Sequence, residues 1–342
     1  WDKIYSDSLH KEQIQELLNG NNIKLIENSL LSFKNHLYEN LNPIATRKAS
    51  EKVLDELNTK IVNLIGESAD LTGSNNTLTK EQKVISVNDF SGSYIYYGIR
   101  EHAMAAIMNG IALHGFFVPY GGTFLVFTDY CRPSIRLSAL MKLRVIYIMT
   151  HDSIGLGEDG PTHQPIEHLM ACRAIPNLLV IRPADANEAI VASRLAFEQK
   201  DRPSLVLLSR QGLPVLQRGN ESSAEEIRKG GYIIKQCEGE PDVVIISTGS
   251  EVWVAVKVSE ILNDYKVRVI NLACWELFEE QSKSYKEKIL GSIMGLRVSI
   301  EAGITMGWER YTGLTGLNIG IDSFGKSAPG SKVAKYFDLD CF

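Results

Sequence analysis

The sequence predicts an α/β protein with two consecutive doubly wound domains, each built on a mostly parallel sheet. The chain has 342 residues, of which 44% are hydrophobic and 23% charged, so it is long enough for two globular cores. Short β-branched apolar runs alternate with helical patterns, which is typical of parallel sheets covered by helices on both faces. A stretch at 211–229 that contains glycine, proline and serine interrupts this alternation and separates the two series.

The first forty residues read as a helical linker arm, because apolar residues at helical spacing flank a break at Gly20-Asn21-Asn22. The first α/β domain is predicted at 41–212. Its elements, in order, are a helix at 43–59, a strand at 61–65, a helix at 101–114, a strand at 116–118, a helix ending at 140, a strand at 145–149, a helix from 166, a strand at 178–181, a helix at 187–199 and a strand at 205–208.

The second domain is predicted at 230–342, after a linker at 213–229. Its apolar runs predict strands at 231–234, 243–247, 267–271, 297–300 and 317–319. Helical patterns lie between them at about 251–262 and 279–290.

Composition excludes several classes of partner. The net charge of −5 gives no electrostatic footprint for nucleic acid, and no apolar run approaches the roughly 20 residues of a membrane helix. The five cysteines are scattered without paired spacing, which predicts reduced thiols rather than a disulfide framework or zinc site. We therefore expect a cytoplasmic protein with a small-molecule ligand. A targeting sequence upstream of Trp1 is an alternative that the sequence leaves open.

The most polar loop of the first domain lies at 150–165 and reads THDSIGLGEDGPTHQP. It follows an apolar run that predicts a strand, so its side chains lie where ligands bind in open α/β sheets. His151 and His163 suit proton transfer near neutral pH, and Asp152, Glu158 and Asp159 can orient them or bond hydroxyls. The alternative is a solvated surface loop.

Two glycine patterns imitate nucleotide-binding motifs. The run 155–160 matches G-x-G-x-x-G, but Pro161 follows directly and Glu158 and Asp159 would repel a pyrophosphate. The run 320–327 matches a phosphate-binding loop, but Pro329 interrupts the long helix that such a loop requires. Both are therefore interpreted as structural turns, and a nicotinamide or nucleotide enzyme is a minor alternative.

Phe124, Phe127 and Tyr130 form an aromatic stripe at spacings of three residues. Such a stripe usually packs in a core. It can also form a stacking platform for a flat heterocycle, and Gly121-Gly122 just before it allows close approach to the backbone.

Several short motifs occur in one order from about Leu41 onward. They are Ala45-Thr-Arg47-Lys-Ala, Glu67-Ser-Ala-Asp70-Leu-Thr-Gly-Ser74, Tyr97-Gly-Ile-Arg100-Glu101-His102, Gly121-Gly-Thr-Phe124-Leu-Val-Phe127, the loop 150–165, Arg182-Pro-Ala-Asp185, Leu208-Ser-Arg210-Gln, Ser247-Thr-Gly249-Ser-Glu251 and Glu301-Ala-Gly303. Together they closely resemble transketolases, the thiamine diphosphate enzymes that move two-carbon ketol units between sugar phosphates.

The resemblance implies that the first domain binds the cofactor's pyrimidine and that the second is the family's carboxyl-terminal domain. The family's diphosphate-binding domain has no counterpart here, because no G-D-G signature occurs in the sequence. We therefore expect no metal ligand on this chain, with Mg²⁺ or Ca²⁺ and the diphosphate of thiamine diphosphate held by an amino-terminal domain or subunit. A homodimer with shared sites is also implied.

The resemblance also assigns site residues by position. It implies catalytic roles for Glu101, His163 and His151, with Glu101 bonding the pyrimidine ring nitrogen. The residues implied at the cofactor are Glu101, Phe124, Phe127, Tyr130 and Asp70. Those implied at the sugar phosphate are Arg47, Ser74, His151, Asp159, His163 and Arg210. Gly73 replaces a proline that many relatives carry before this serine.

Three functions follow in order of preference. The first is transketolase of the pentose phosphate pathway, with this chain inactive on its own. A second is another ketol-transferring thiamine enzyme, a dihydroxyacetone synthase or a deoxyxylulose phosphate synthase. The third is a non-catalytic partner that binds a subunit.

Overall fold

The computed structural model describes residues 2–12, 14–15, 27–40, 42–218, 222–291 and 295–340. Two mainly parallel sheets flanked by helices occupy the two halves of the chain, which confirms the predicted α/β class. The predicted Gly20-Asn21-Asn22 break lies outside the described residues. In the arm, the structure describes helices α1 (Asp2–Ser6) and α2 (Glu27–Asn40).

The first sheet has six parallel strands in the order β3-β2-β4-β5-β7-β6. They are β2 (Leu64–Ser68), β3 (Tyr94–Tyr96), β4 (Val118–Phe124), β5 (Ile146–Thr150), β6 (Leu179–Ile181) and β7 (Ser204–Leu208). All residues of β2, β4, β5, β6 and β7 are buried, as expected for a parallel sheet covered on both faces. A separate antiparallel pair, β1 (Ile44–Ala45) with β8 (Gly212–Leu213), brings the start and the end of the first α/β half of the chain together.

Helices cover both faces of this sheet. They are α3 (Thr46–Lys60), α4 (Thr72–Asn75), α5 (Glu101–His114), α6 (Thr128–Leu140), α7 (His168–Arg173) and α8 (Ala186–Glu198). Helix α5 packs closely on β4 because Gly121 has no side chain: a Cβ there would lie 2.6 Å from the Met108 sulfur. Helices α3 and α8 cover the opposite face and bury Val53, Leu54 and Ile190.

The second sheet has the order β13-β12-β10-β11-β9, with only β9 antiparallel to its neighbour. Its strands are β9 (Tyr232–Lys235), β10 (Val243–Ser247), β11 (Val267–Asn271), β12 (Leu296–Ile300) and β13 (Leu317–Ile319). Its helices are α9 (Glu251–Ile261), α10 (Trp275–Glu279), α11 (Lys283–Leu290), α12 (Glu309–Thr312) and α13 (Gly330–Tyr336).

Several predicted boundaries are wrong. The strand predicted at 61–65 lies at 64–68, and the one predicted at 116–118 extends to 124, because the polar ends of these strands are buried by helices rather than exposed. Strand 94–96 was missed. The helix predicted at 279–290 is two helices, since Ser282 accepts a hydrogen bond from Tyr285 N (3.2 Å) and starts the second. The predicted linker contains β8 and a 3₁₀ helix, Ala224–Lys229.

Among the described helices, none combines the length and the apolar character that crossing a membrane requires. Cys131, Cys172, Cys237 and Cys274 are free thiols.

Candidate active site

The carboxyl ends of four adjacent parallel strands, β2, β4, β5 and β7, lie at one edge of the first sheet. Predicted site residues follow each of them. Asp70 and Ser74 follow β2, Phe124 ends β4, His151 follows β5, and Arg210 follows β7. This topology brings together residues that are up to 163 positions apart in sequence, as the bond from Ser209 N to Thr46 Oγ1 (2.7 Å) illustrates.

Aromatic and imidazole rings stack at this edge. The Phe124 ring lies parallel to that of His151, with centroids 3.6 Å apart, and to that of Phe127, with centroids 5.7 Å apart. His163 packs edge-on against Phe127 at 5.5 Å. Tyr130 extends the stack and is 63% exposed. The stripe is thus buried at Phe124 and open at Tyr130, which suits a platform at a site entrance better than a closed core.

The protonation of His151 follows from its hydrogen bonds. The Thr150 hydroxyl donates its single proton to Asn75 Oδ1 (2.7 Å), so toward His151 Nδ1 (2.9 Å) it can only accept. The proton of the neutral ring therefore lies on Nδ1, and Nε2 carries the free lone pair. Burial lowers the pKa of His151 to about 3, and the charges of Arg47, Arg210 and His163 add to this. The ring is neutral at pH 7.

Arg47 and Arg210 form a pair of like charges beside this histidine. Arg47 Nη1 donates to the carbonyl oxygen of Ser74 (2.6 Å), while its buried Nε has no partner. Burial lowers the pKa of Arg47, and the charge of Arg210 lowers it further. Within the described part of the chain, neither arginine forms an ion pair with a carboxylate. Two guanidinium groups without a direct ion pair are suited to a phosphate group, and the charge of Glu51 offsets only part of theirs.

Glu101 is the first residue of α5 and is 7% exposed. The helix start places a carboxylate favourably against the helix dipole. Glu101 lies close enough to α6 to affect Cys131: burial raises the pKa of this thiol, and the charges of Cys172 and then Glu101 contribute. Cys131 in turn donates to the carbonyl of Phe127 (3.6 Å). The carboxyl of Glu101 therefore lies near the first turn of α6, the helix that carries Tyr130.

The remaining predicted residues are less closely tied to this cluster. His163 Nδ1 pairs with the Thr162 hydroxyl (3.0 Å), and its ring contacts Phe124 and Phe127. Asp159 lies in the exposed turn between Gly157 and Gly160, both of which have positive φ. Asp70 is exposed and left-handed (φ 63°) in the turn after β2. Among the described residues, no hydrogen bond connects these two acids to the stacked rings.

Sequence reasoning missed Glu67, a fully buried acid in the middle of the first sheet. Neither of its carboxyl oxygens has a hydrogen bond of good geometry, and the neighbouring Tyr97 hydroxyl is also unsatisfied. Burial raises the pKa of Glu67 to about 8, with the Tyr97 hydroxyl opposing the rise, so the group is largely neutral at pH 7. The signal was present in the sequence, since a single charge interrupts the apolar run of β2.

One group in the described chain has the spacing of metal ligands. Single ligand atoms of Asp129, Glu167 and His168 lie within 4.8 Å of one another. His168 Nε2 already bonds Asp129 Oδ2 (3.0 Å), and both acids are exposed, so a hydrogen-bonded surface group explains this geometry equally well.

A buried ion cluster, also unpredicted, lies beneath the polar loop. Arg182 donates to Asp152 Oδ2 (2.8 Å) and to Glu251 Oε2 (2.5 Å), and Glu301 Oε1 lies 3.8 Å away. Arg173 donates to both oxygens of Glu301, at 2.9 and 2.8 Å. Sequence reasoning used the motifs that contain these residues but did not pair them, because they come from both domains.

This fold and site define an α/β protein with two neighbouring arginines and a stack of aromatic rings at the edge of a parallel sheet. Two sequence families match it: "Transketolase, pyrimidine binding domain" over residues 42–215, and "Transketolase-like TK C-terminal domain" over 230–340. The chain belongs to the transketolase family, which confirms the predicted resemblance.

Individual relatives, compared by sequence and by structure, are also transketolases. The transketolase of Aquifex aeolicus (strain VF5) is 47% identical over 339 residues, which are 98% of this chain and 49% of the relative. The structure of a Pichia stipitis transketolase in complex with sedoheptulose-7-phosphate is 38% identical, with a TM-score of 0.88, and the match covers 99% of this chain and 50% of that one. The chain thus spans about half the length of the curated relatives it matches.

A shorter structural neighbour shows the same fold over nearly its whole length. It is described as "Split gene transketolase, inactive beta4 tetramer" and matches 87% of this chain and 94% of its own, with a TM-score of 0.68. At 23% identity this likeness shows the fold alone.

Proposed function

We propose that this chain supplies the pyrimidine- and substrate-binding half of a transketolase, which transfers a two-carbon ketol unit from a ketose phosphate to an aldose phosphate in the pentose phosphate pathway. The observation that supports this most is the sheet edge at which Arg47, Arg210 and His151 adjoin the stacked Phe124 and Phe127. An anion site next to an aromatic platform suits a phosphorylated substrate beside a flat cofactor ring. The relatives described above are transketolases, so the other ketol-transferring enzymes are not favoured.

The residues present fit the pyrimidine ring of thiamine diphosphate. When bound, thiamine diphosphate supplies the nucleophilic carbon to which the ketol unit is attached. Glu101 would hold a proton at a pyrimidine ring nitrogen, because its carboxyl is nearly buried at a helix start. Phe124, Phe127 and Tyr130 would orient the ring, and Asp70 lies at the same sheet edge. The ligands for Mg²⁺ or Ca²⁺ and for the diphosphate would come from the amino-terminal half.

At the substrate, Arg47 and Arg210 with Ser74 would bind the phosphate group. When an anion between the arginines raises the pKa of His151, Nε2 takes up a proton and its N–H can then donate to the anion. His163 and Asp159 would contact hydroxyls and the reacting carbonyl. His151 stacks on Phe124 and His163 packs edge-on against Phe127, so both rings are held in place and do not have to reorganise when substrate binds.

The proposal includes a partner half and a homodimer with shared sites. Its support is the half-length match to relatives, together with apolar residues exposed on α5 and α6. Leu113 is 59% exposed, Leu137 45% and Leu140 67%, which is unusual for large apolar side chains on neighbouring helices. We further propose the domain limits 41–212 and 230–342, and a cytoplasmic location, which the free buried thiols favour.

A chimaera tests the function. The amino-terminal half of the Aquifex aeolicus transketolase is joined to this chain, and ketol transfer is measured with a panel of sugar phosphates. We expect activity from the chimaera, negligible activity from either half alone, and weak thiamine diphosphate binding by this chain in calorimetry. Tight cofactor binding by this chain alone would contradict the shared site, and activity only with acceptors that are not sugar phosphates would favour another ketol-transferring enzyme.

A further inference from the structure

The polar loop 150–165 and the following Ile166 are together named the site loop. In the described part of the chain, three hydrogen bonds connect it to the second domain. The Ser327 hydroxyl donates to the carbonyl of Glu158 (2.6 Å). Gln164 Nε2 donates to the carbonyl of Lys326 (2.9 Å). Ile304 N donates to the carbonyl of Ile166 (3.1 Å). These bonds lie along the far half of the site loop, on either side of Asp159 and His163.

Close packing reinforces these bonds. A Cβ on Gly325 would lie 1.8 Å from Gln164 Oε1, and one on Gly330 would lie 2.8 Å from the carbonyl oxygen of Gly155. A Cβ on Gly160 would lie 3.1 Å from Ser327 Cβ. Gly325 from the run that imitates a phosphate-binding loop, Gly160 from the other glycine pattern, and Gly330 therefore allow two loops from different domains to touch.

The near half of the site loop is held by charge. Asp152 follows His151 directly and accepts from Arg182, whose Nη1 also donates to Glu251 (2.5 Å) and to the carbonyl of Thr248 (3.2 Å) in the second domain. Arg182 is fully buried, and Gly249 leaves it room, since a Cβ there would lie 2.5 Å from its Nε. Asp152 is thereby bridged to the second domain through a single guanidinium group.

We infer that the second domain positions the site loop, with Ser327 and Arg182 as positioning residues for Asp159, His163 and His151. We name these contacts of Ser327, Lys326, Ile304 and Arg182 with the site loop the clamp. The role of the clamp in catalysis rests on the proposed function, whereas its existence rests on the contacts alone. A loop with several glycines and prolines has little order of its own, and reacting groups need placement within a fraction of an ångström. Contacts from two sides supply that order.

Hydrogen exchange on the full chain tests the clamp without any activity. The variants are Ser327→Ala, which removes one bond, and Gly325→Ala, which pushes Gln164 away. Ser323→Ala is the matched control, because Ser323 is exposed in the same loop and bonds nothing in the site loop. We expect amides at 157–164 to exchange roughly fivefold faster in Ser327→Ala, the effect of one hydrogen bond. Gly325→Ala should accelerate exchange at 157–164 more than Ser327→Ala does. The exchange rates of the β5 amides should stay at their native values in both variants, and Ser323→Ala should leave the rates at 157–164 unchanged.

Unchanged exchange at 157–164 in both variants would overturn the inference, and so would equal acceleration throughout β5, which would indicate general destabilisation. In the active chimaera, Ser327→Ala should raise KM for sugar phosphates roughly fivefold with a smaller change in kcat. A chimaera without activity would overturn the proposed function alone, because the exchange result decides the clamp independently.

Discussion

The two arginine-rich regions of the molecule differ in how their charges are balanced. Arg182 is fully buried, and Asp152, Glu251 and Glu301 surround it within 3.8 Å. Arg47 and Arg210 lie close together, and in the described part of the chain neither forms an ion pair with a carboxylate, although the charge of Glu51 opposes part of the lowering of the Arg47 pKa. Two neighbouring cations do not stabilise a fold. We therefore interpret Arg47 and Arg210, named here the unbalanced pair, as a binding site for an anionic ligand.

Glu67 is a third kind of buried charge. In the described part of the chain no cation pairs with it, and burial raises its pKa to about 8, so the carboxyl is largely neutral at pH 7. The three cases teach that the balance of charge, rather than the number of charged residues, separates structural clusters from ligand sites.

The largest expected effect is on stability. Arg182→Met removes the guanidinium that bridges Asp152 and Glu251 and leaves these two acids buried without their paired cation. The free energy of unfolding should fall by about 3–5 kcal/mol. Arg47→Met, by contrast, should change it by less than about 1 kcal/mol. Urea unfolding followed by circular dichroism measures both free energies. Equal decreases in the two variants would contradict the difference in charge balance between the two regions.

The second prediction concerns ligand binding by the unbalanced pair. In the active chimaera, Arg47→Met or Arg210→Met should weaken sugar phosphate binding by about 1.5–3 kcal/mol, the range for hydrogen bonds to charged groups. Lysine at either position should restore part of the loss, because it keeps the charge without the guanidinium fork. Calorimetry with sedoheptulose-7-phosphate measures the affinity. Native affinity in both methionine variants would mean that the phosphate binds elsewhere.

Glu67 provides a pH-dependent prediction. Its pKa is raised to about 8 in the fold, so the folded state keeps a proton that the unfolded state loses near pH 4.5. Stability from this group is therefore present below pH 4.5 and is lost as pH rises to about 8, by at most about 1.4 kcal/mol per pH unit. Glu67→Gln should remove this slope. Unfolding measured at pH 6 and pH 8 checks it, and parallel slopes for variant and native chain would show that Glu67 is ionised.

The smallest expected effect is proton uptake. His151 is neutral in the free chain because its pKa lies near 3, and a phosphate dianion beside it favours the protonated ring. Binding of a sugar phosphate to the chimaera at pH 6.5 should therefore take up a fraction of a proton. Calorimetry in two buffers of different ionisation enthalpy measures it. His151→Asn is the reference, and identical uptake in the two proteins would assign the proton to another group.

The sequence predicted the fold class and the polar loop after β5 because both follow from local patterns. Apolar runs of β5 and β7 predicted strands, and polar residues just after β5 predicted the position of His151, whereas Arg210 was assigned only through the family resemblance. Pairing across the chain was not predictable in this way. The bridge from Asp152 through Arg182 to Glu251 spans two domains, and the contact of Ser327 with Glu158 joins residues 169 positions apart. Such contacts depend on how the domains dock, which no local pattern contains.

Boundaries failed where tertiary contacts overrode the local signal. Strand β4 continues through Gly121 and Gly122, which weaken a strand prediction, because α5 and Asn75 pack closely on them. Glu67 was read only as part of a motif, and its burial became evident once the sheet was formed.

The proposal that Glu101 acts on the cofactor ring is tested most directly by Glu101→Gln in the active chimaera, with Asp129→Asn on the neighbouring helix as the control. Glutamine keeps the size of the side chain but cannot exchange a proton at a ring nitrogen. We predict a loss of kcat of about 10²–10⁴-fold with an unchanged circular dichroism spectrum, and near-native turnover in the control. A Glu101→Gln chimaera that turns over at the native rate would contradict the account.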